Sequence, residues 1–342
     1  PGIGPVSVAG VVVEPWVWIF VGLVLAQAWK SFGLGATFAV VKQATDPSRL
    51  AAGFASTETF RRTAFLVGPV LAAVLIGLRA EFTVSFQYVL AVGVVFGVLG
   101  TAVQHVLYDA SGDSLGDSFA GLGRIREDLR EMPAPLRPLL VGDTLVRFAN
   151  GMVYVFFVLV VTQFFEVGLD ATVALGGFAY GVDLSPQAFF GYLLGVEMLV
   201  ALLIMVPASK FAERVGLKPV VAVGFAVYAV FPVVLIYAPA LAGSVLPLWA
   251  VMVAVFAFSG LRFAGLPSHK ALIVGPAERG TGGRVTGTYY FLRNTVVIPS
   301  AAVGGYLWEF VSPEVAFTVA AAIGVVGTGY FLAFGEEFEA YA

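Results

Sequence analysis

The sequence predicts an all-α, polytopic helical membrane protein, and three observations carry that prediction. Of 342 residues, 59% are hydrophobic and only 12% charged, with a mean hydropathy of +0.92. A soluble domain typically carries about 25% charged residues to cover its surface. Apolar stretches long enough to cross a membrane recur along the whole chain. A helix rising about 1.5 Å per residue needs roughly 20 of them to cross roughly 30 Å of hydrocarbon. The segments between these stretches alternate in charge. No run of alternating ten-residue strands is present, which argues against a β-barrel.

Residues 1–13 are apolar but rich in Gly and Pro, and read as the stub of an earlier helix. Nine spans follow, at 15–41, 54–78, 86–107, 138–163, 186–208, 219–239, 245–268, 285–308 and 315–334. Between the third and fourth lies the single long polar stretch, 108–137. It opens with Asp109, Ser111, Gly112 and Asp113. Leu122, Ile125 and Leu129 then recur with charges between them. That spacing suits a short amphipathic helix on the inner membrane surface, or a solvated linker between two helical bundles.

The loop charges set the orientation. One side holds Lys42 and Arg49, Arg124, Arg126, Arg130 and Arg137, then Lys210, Arg214 and Lys218, then Lys270, Arg279 and Arg284. The other side holds Arg79 with Asp170, Asp183, Glu309 and Glu314. The basic side is expected to be cytoplasmic, which makes this a multi-pass protein of the plasma membrane. The net charge of −3 says less than this placement.

Several chemistries are excluded or disfavoured. With no cysteine there is no disulfide and no thiolate metal site. His105 and His269 fall at inner helix ends without a shared carboxylate cluster, so they read as surface histidines and not as metal ligands. No Gly-rich phosphate loop precedes a Lys-Ser/Thr pair. No Ser/His/Asp arrangement supports hydrolysis. The expectation is a non-enzyme with no cofactor, no metal and no nucleic-acid partner.

An internal repeat is visible. Thr57-Glu58-Thr59-Phe60-Arg61-Arg62-Thr63 and Thr288-Tyr289-Tyr290-Phe291-Leu292-Arg293-Asn294 share Thr, Phe and Arg at the same spacing. Upstream, Asp46-Pro47-Ser48-Arg49 answers Gly275-Pro276-Ala277-Glu278-Arg279. Both copies open an apolar helix after an inner turn. Two related halves joined by a polar linker are a common transporter plan.

The ten residues Ser209-Lys210-Phe211-Ala212-Glu213-Arg214-Val215-Gly216-Leu217-Lys218 form a compact charged loop between two spans. Ser209, Glu213, Arg214, Gly216 and Lys218 match a signature of the major facilitator superfamily: a small residue, an acid four positions on, Arg, any residue, Gly, then a basic pair. Leu217 departs from the first basic position. The loop resembles the turn between helices eight and nine of that superfamily. Lys30 with Phe32-Gly33-Leu34-Gly35 resembles the Gly-rich middle of helix four. Gly68-Pro69 followed by Ala72-Ala73 resembles part of the Gly-Pro-x-x-Gly-Gly motif of helix five, seen mainly in antiporters; both final glycines are Ala here. Leu184-Ser185-Pro186 is similar to the entry to helix eight, where Ser185 can cap the helix and Pro186 take its first position.

The resemblance implies twelve helices in two halves, and the nine spans are then helices four to twelve. Helices one to three would be absent, an expectation that agrees with a chain starting at Pro1 without an initiator Met. The domain plan is 1–107 as the remainder of the N-terminal bundle with three helices, 108–137 as a cytoplasmic linker, and 138–342 as the C-terminal six-helix bundle.

Candidate functional residues are the charges at depth. Glu197 lies near the middle of an apolar span, where an intramembrane ionisable residue signals function or a buried pair. Lys30 and Arg262 also lie inside spans, and the resemblance puts helices four and ten around a central cavity. These three are candidates for proton coupling or for binding an anionic group. Asp143 and Arg147, and Glu58 and Arg62, are each four apart and share a helix face. They read as interface ion pairs or gates, with Arg293 and Asn294 the second-half counterpart of Arg62. Tyr289, Tyr290, Asn150, Gln27 and Tyr154 could line a polar path or act as interhelical hydrogen-bonding residues.

Three functions remain open at this stage. One is a proton-coupled efflux antiporter, for which Gly68-Pro69 speaks. Another is a proton-coupled uptake symporter of a small anionic metabolite, for which Lys30 and Arg262 speak. The third is a non-transporting sensor or scaffold with a transporter-like fold. The expected partners are a small-molecule substrate, protons or another coupling ion, and the bilayer, with the protein acting as a monomer.

Overall fold

The computed structural model describes residues 6–8, 11–13, 17–18, 21–22, 25, 36–77, 82–109, 130, 132–175, 178–277 and 282–338. The chain divides into two compact units, one of Pro1–Thr37 with Ala64–Phe119 and one of Phe38–Thr63 with Ala120–Ala342.

The first unit holds strands β1 (Val6–Val8) and β2 (Val11–Val13), paired antiparallel with Val6 opposite Val13. Residues 6–8 and 11–13 are therefore strands and not part of a helix stub. The β-branched valines flanking Ala9-Gly10 favour strand pairing over helix. This unit also holds the later part of α2 (Leu50–Gly77) and all of α3 (Phe82–Leu107). Gly68 and Pro69 lie within α2. Lys30, Gln27 and the Phe32–Gly35 segment lie outside the described residues. So do Arg79, most of 108–137, and Glu278 and Arg279.

The second unit opens at Phe38, within a helix at 36–44, here α1, and takes in the first turns of α2. It continues with α4 (Leu136–Val153), which runs on through irregular turns, including a π turn at Val160–Phe164. A hairpin follows, β3 (Leu169–Leu175) with β4 (Phe178–Leu184). The two strands pair antiparallel, with Leu169 opposite Leu184 and Leu175 opposite Phe178. The remaining helices are α5 (Pro186–Val215), α6 (Leu217–Ala242), α7 (Leu248–Gly260), α8 (Leu266–Val274), α9 (Gly282–Val297), α10 (Ser300–Phe310) and α11 (Pro313–Phe334).

Three expectations about these elements change. The charged loop is mostly helix: Ser209 to Val215 form the last turns of α5, and only Gly216 separates it from α6. Ala, Lys, Glu and Arg are good helix formers, so nothing ends the helix until Gly216, which sits at φ +92°. The span 245–268 continues to Val274, through a 3-10 turn at Leu261–Phe263. The span 285–308 is two helices that break before Ser300. Pro299 lacks the N–H that would continue the ladder and clashes with the carbonyl four residues back. The Ser185 cap is present: its Oγ accepts from the Ala188 N–H at 3.3 Å, and Pro186 takes the first helical position.

Among the described residues, six helical stretches are long and apolar enough to cross a membrane: 84–107, 136–164, 188–215, 217–242, 248–274 and 313–334. The protein is an integral, multi-pass membrane protein with an all-α fold. Small residues bring its helices together. A Cβ on Gly142 of α4 would lie 2.8 Å from Phe331 Cβ, and one on Gly327 of α11 would lie 2.7 Å from Leu145 Cβ. Both are far below van der Waals contact, so the α4–α11 crossing requires these glycines. The apolar core beside it is aromatic-rich, with Met152, Phe157, Phe189, Phe231, Phe256 and Phe317 buried together.

Candidate functional site

The second unit buries a chain of charged side chains. Glu197 projects from the middle of α5 and is 3% exposed. Its Oε1 accepts from Arg262 Nη2 at 2.6 Å and from Ser259 Oγ at 2.5 Å. Arg262 sits in the 3-10 turn after α7, where the close approach of Gly260 to Val200 and to the Glu197 carbonyl holds that turn against α5. The guanidinium lies 4.9 Å from the Phe263 ring centre and 5.1 Å from that of Tyr228. Its Nε and Nη1 are buried and have no hydrogen-bond partner among the described residues. Buried donors are ordinarily satisfied, so these two stand available to a further acceptor. Glu197 and Arg262 are thus brought together as a pair.

Tyr228 of α6 carries the chain onward. Arg147 packs on its ring, 4.6 Å from the centre. Arg147 Nε donates to Asp143 Oδ1 at 3.1 Å, the expected pairing four residues apart. Asp143 is fully buried and binds far more than Arg147. Its Oδ2 accepts from Arg293 Nη1 at 3.1 Å and from Tyr289 Oη at 3.1 Å, and lies 3.2 Å from His269 Nε2. Arg293 also donates to Asn294 Oδ1, and its guanidinium lies 4.3 Å from the Tyr290 ring centre.

A third group forms at Glu58, which is 2% exposed. Lys270 Nζ donates to Glu58 Oε1, Arg61 Nη1 lies 3.3 Å from the same oxygen, and Arg62 Nε lies 3.7 Å from Oε2. Arg62 stacks over Phe263 at 4.1 Å. The Glu58–Arg62 pair is present, but Lys270 of α8 is the closer partner. Leaving aside the exposed Arg61, three carboxylates, Glu58, Asp143 and Glu197, face five cations, Arg62, Arg147, Arg262, Lys270 and Arg293. Among the described residues, this chain holds more cations than carboxylates.

Two of these residues differ from their expected places. His269 is 2% exposed, inside α8, and is not a surface histidine; His105 is exposed as expected. Lys270 is inside the same helix and is not a loop base. The signal was available: after Lys270 the chain runs Ala271-Leu272-Ile273-Val274, an apolar turn that extends the span. Tyr228 carried no signal beyond its type. Tyr289 is fully buried, Asn150 and Tyr290 are partly buried, and Tyr154 is exposed.

The charged motif acts at helix ends. Glu213 and Arg214 are exposed at the end of α5, and among the described residues no ion pair of theirs occurs. The end of the motif is instead met by the C-terminal tail. Glu337 Oε2 accepts from the Lys218 N–H at 2.8 Å, at the start of α6 beside Gly216. At the opposite polarity, Lys42 Nζ donates to the carbonyls of Val274 at 2.8 Å, Gly275 at 3.2 Å and Ala277. An anion at a helix start and a cation at a helix end both complement the macrodipole. Burial of Lys42 pulls its pKa below the usual lysine range. Nearby, hydrogen bonds from the Ser48 hydroxyl and N–H hold Asp46 below the usual carboxylate range.

No family profile matches the chain, and no curated protein matches it at sequence level. In the path of its backbone the chain is similar to a solved structure, at TM-score 0.53 and 14% identity: the major facilitator superfamily proton:xylose symporter XylE bound to 6-bromo-6-deoxy-D-glucose. The chain has the major facilitator fold. The match covers 87% of this chain and 66% of that one. At this identity the major facilitator likeness concerns the path of the backbone, and the chemistry of the buried chain rests on its own residues.

Proposed function

We propose that this protein is a secondary active transporter that moves a small anionic molecule across the plasma membrane by alternating access, coupled to protons. The observation that carries this reading is Arg262, buried against three aromatic rings with two unpartnered donors and one donor held by Glu197. A guanidinium offers paired N–H groups in a fixed fork that fits a carboxylate or phosphate. An entering anion would compete with Glu197 for Arg262, so binding and release of substrate would be tied to the state of Glu197. The surplus of buried cations favours an anionic cargo over a cationic one.

Alternating access requires contacts that close one side and then break. The group at Glu58, Lys270 and Arg62 joins the start of α2 to α8, at the side where the basic loops place the cytoplasm. It suits a cytoplasmic gate, with Ser209, Gly216 and Lys218 steadying the helix ends nearby. A second reading, efflux of an amphiphilic compound by proton antiport, is favoured by Gly68 and Pro69 in α2. Gly68 has open space where a Cβ would be, which fits a helix face left clear for a moving neighbour.

The test is counterflow of radiolabelled small carboxylates and inorganic phosphate in proteoliposomes holding the purified protein. We expect saturable counterflow of at least one anion, lowered at least tenfold by Arg262→Gln. Counterflow of neutral or cationic amphiphiles alone would overturn the anion reading in favour of efflux. Absence of any substrate-dependent flux would overturn transport and leave a sensor or scaffold.

A further inference from the structure

We propose that the C-terminal tail is a strap that holds the end of α8 shut against α1, with Gly275 as the residue where the strap and the closing contact meet. The strap acts on the balance between closed and open conformations, whatever molecule is carried.

The tail is fixed at two places. It leaves α11 at Gly335, so a single residue, Glu336, lies between that helix end and Glu337. The first anchor is the junction of α5 and α6. Glu337 Oε2 accepts from the Lys218 N–H at 2.8 Å, and Oε1 accepts from the Phe338 N–H at 3.0 Å. Both carboxylate oxygens thus hold a backbone donor, and one does so at a helix start, where negative charge is favoured. Gly216 leaves the room for it, since a Cβ there would overlap Glu337 Oε2. The second anchor is the end of α8. A Cβ on Gly275 would lie 2.8 Å from Cδ1 and Cε1 of Phe338, so the ring rests directly on this glycine. Gly275 has φ −55° and ψ −55°, ordinary helical backbone. Its missing side chain serves the ring and not the turn.

The same glycine carries the closing contact. Lys42 of α1 donates from Nζ to the carbonyls of Val274, Gly275 and Ala277. An ammonium has three donors, so this cap uses all of them. Lysine is suited to the task, because the last carbonyls of a helix are natural acceptors for a cation. Val274 stands 232 residues from Lys42 in sequence. The contact lies at the side that the basic loops mark as cytoplasmic. For α1 and the α8 end to part, all three bonds must go together.

The strap acts on the acceptor side of this contact. Phe338 presses on the α-carbon of the residue whose carbonyl Lys42 holds, and Glu337 ties that pressure to α6. Helix ends fray when nothing holds them. With the ring gone, the three carbonyls lose their common direction and the cap weakens. Two residues hold the tail against the entropy of ordering a chain end. The strap can therefore release while the bundle stays folded, and releasing it favours the conformation open at this side.

The test is electron–electron resonance between nitroxides on cysteines substituted for Gln43 and Glu213, in the full chain in detergent. Both positions are exposed, near the ends of α1 and α5, and the chain has no cysteine of its own. Wild type should show mainly one short distance. Phe338→Ala, Gly275→Ala and Lys42→Met should each raise the longer-distance fraction about threefold or more. Gly275→Ala is the sharper variant, because Ala suits helical backbone and the new methyl displaces only the ring. Phe338→Tyr keeps the ring and should match wild type. Adding Phe338→Ala to Lys42→Met should open the protein no further than Lys42→Met alone. Unchanged distances in Phe338→Ala or Gly275→Ala would overturn the strap. An additive effect in the double variant would also overturn it, since tail and lysine would then act separately. Opening in Phe338→Tyr as large as in Phe338→Ala would do the same.

Discussion

Glu58 at the start of α2 and Lys270 within α8 meet as a buried ion pair across 212 residues of sequence. Removing one partner leaves the other charge in a poorly solvated place, which costs about 3–5 kcal/mol, whereas replacing both by apolar residues is often neutral. Glu58→Gln and Lys270→Met should each lower the melting temperature in detergent, and the double variant should regain most of the loss. Additive losses in the double-mutant cycle would show that the two side chains do not hold each other.

Glu197→Gln should free Arg262 for substrate. Under the proposed competition, the anion then binds more tightly and leaves more slowly, so KM falls and turnover falls with it. Initial rates in proteoliposomes across substrate concentration decide this. A raised KM would mean that Glu197 helps to hold substrate and does not compete with it.

Gly216 adopts φ +92°, a conformation that costs an L-residue about 1–2 kcal/mol. Gly216→Ala should therefore lower stability by about that amount, and more where the new methyl meets the Glu337 carboxylate. Glu337→Ala removes a helix-start acceptor and should cost about 1 kcal/mol. Thermal unfolding of both variants checks this, and an unchanged midpoint for Gly216→Ala would contradict the backbone assignment.

At the α4–α11 crossing, Gly327→Leu forces a side chain against Leu145 and the Gly142 carbonyl. Overpacking of this kind costs about 1–3 kcal/mol. The expected result is reduced yield of folded protein and a lower unfolding temperature. The same substitution at Gly329, which has open space around it, should be tolerated.

The Asp46 contact to Ser48 gives a local pH dependence. Its carboxyl is held below the ordinary range, so the contact is fully present above the unfolded carboxyl pKa and is lost as pH falls through the lowered folded value. The protection factor of the Ser48 amide, its exchange relative to an unstructured amide at the same pH, should be higher at neutral pH and fall at acid pH. Exchange that ignores acid would show that the Asp46 side chain does not cap this turn.

The long apolar stretches were legible because hydrocarbon imposes length and composition on a helix. The pairs Asp143–Arg147 and Glu58–Arg62 were legible because four residues is one helical turn. Glu197 and Arg262 were visible as charges in apolar surroundings, but their pairing was not, because it depends on how α5 meets the turn after α7. His269 and Lys270 were misplaced because a charged pair usually ends a span. Here Asp143 and Tyr289 meet His269, and Glu58 meets Lys270, from other helices, and the helix continued. The capping of Lys218 by Glu337 was invisible, since no periodicity links a tail to a helix start more than a hundred residues earlier.

If the protein transports as proposed, the excess of cations over carboxylates among the described buried residues would tie it to the membrane potential. Each elementary charge carried across the full field changes energy by about 2.3 kcal/mol per 100 mV. An empty carrier that swings unbalanced guanidiniums through that field would feel the voltage on its return step. A carrier loaded with an anion would feel less of it, because its charge is partly cancelled. A cell's interior-negative potential would then act on the empty carrier more than on the cargo. Voltage would set where the unoccupied protein rests, and hence which compartment it faces while waiting for substrate.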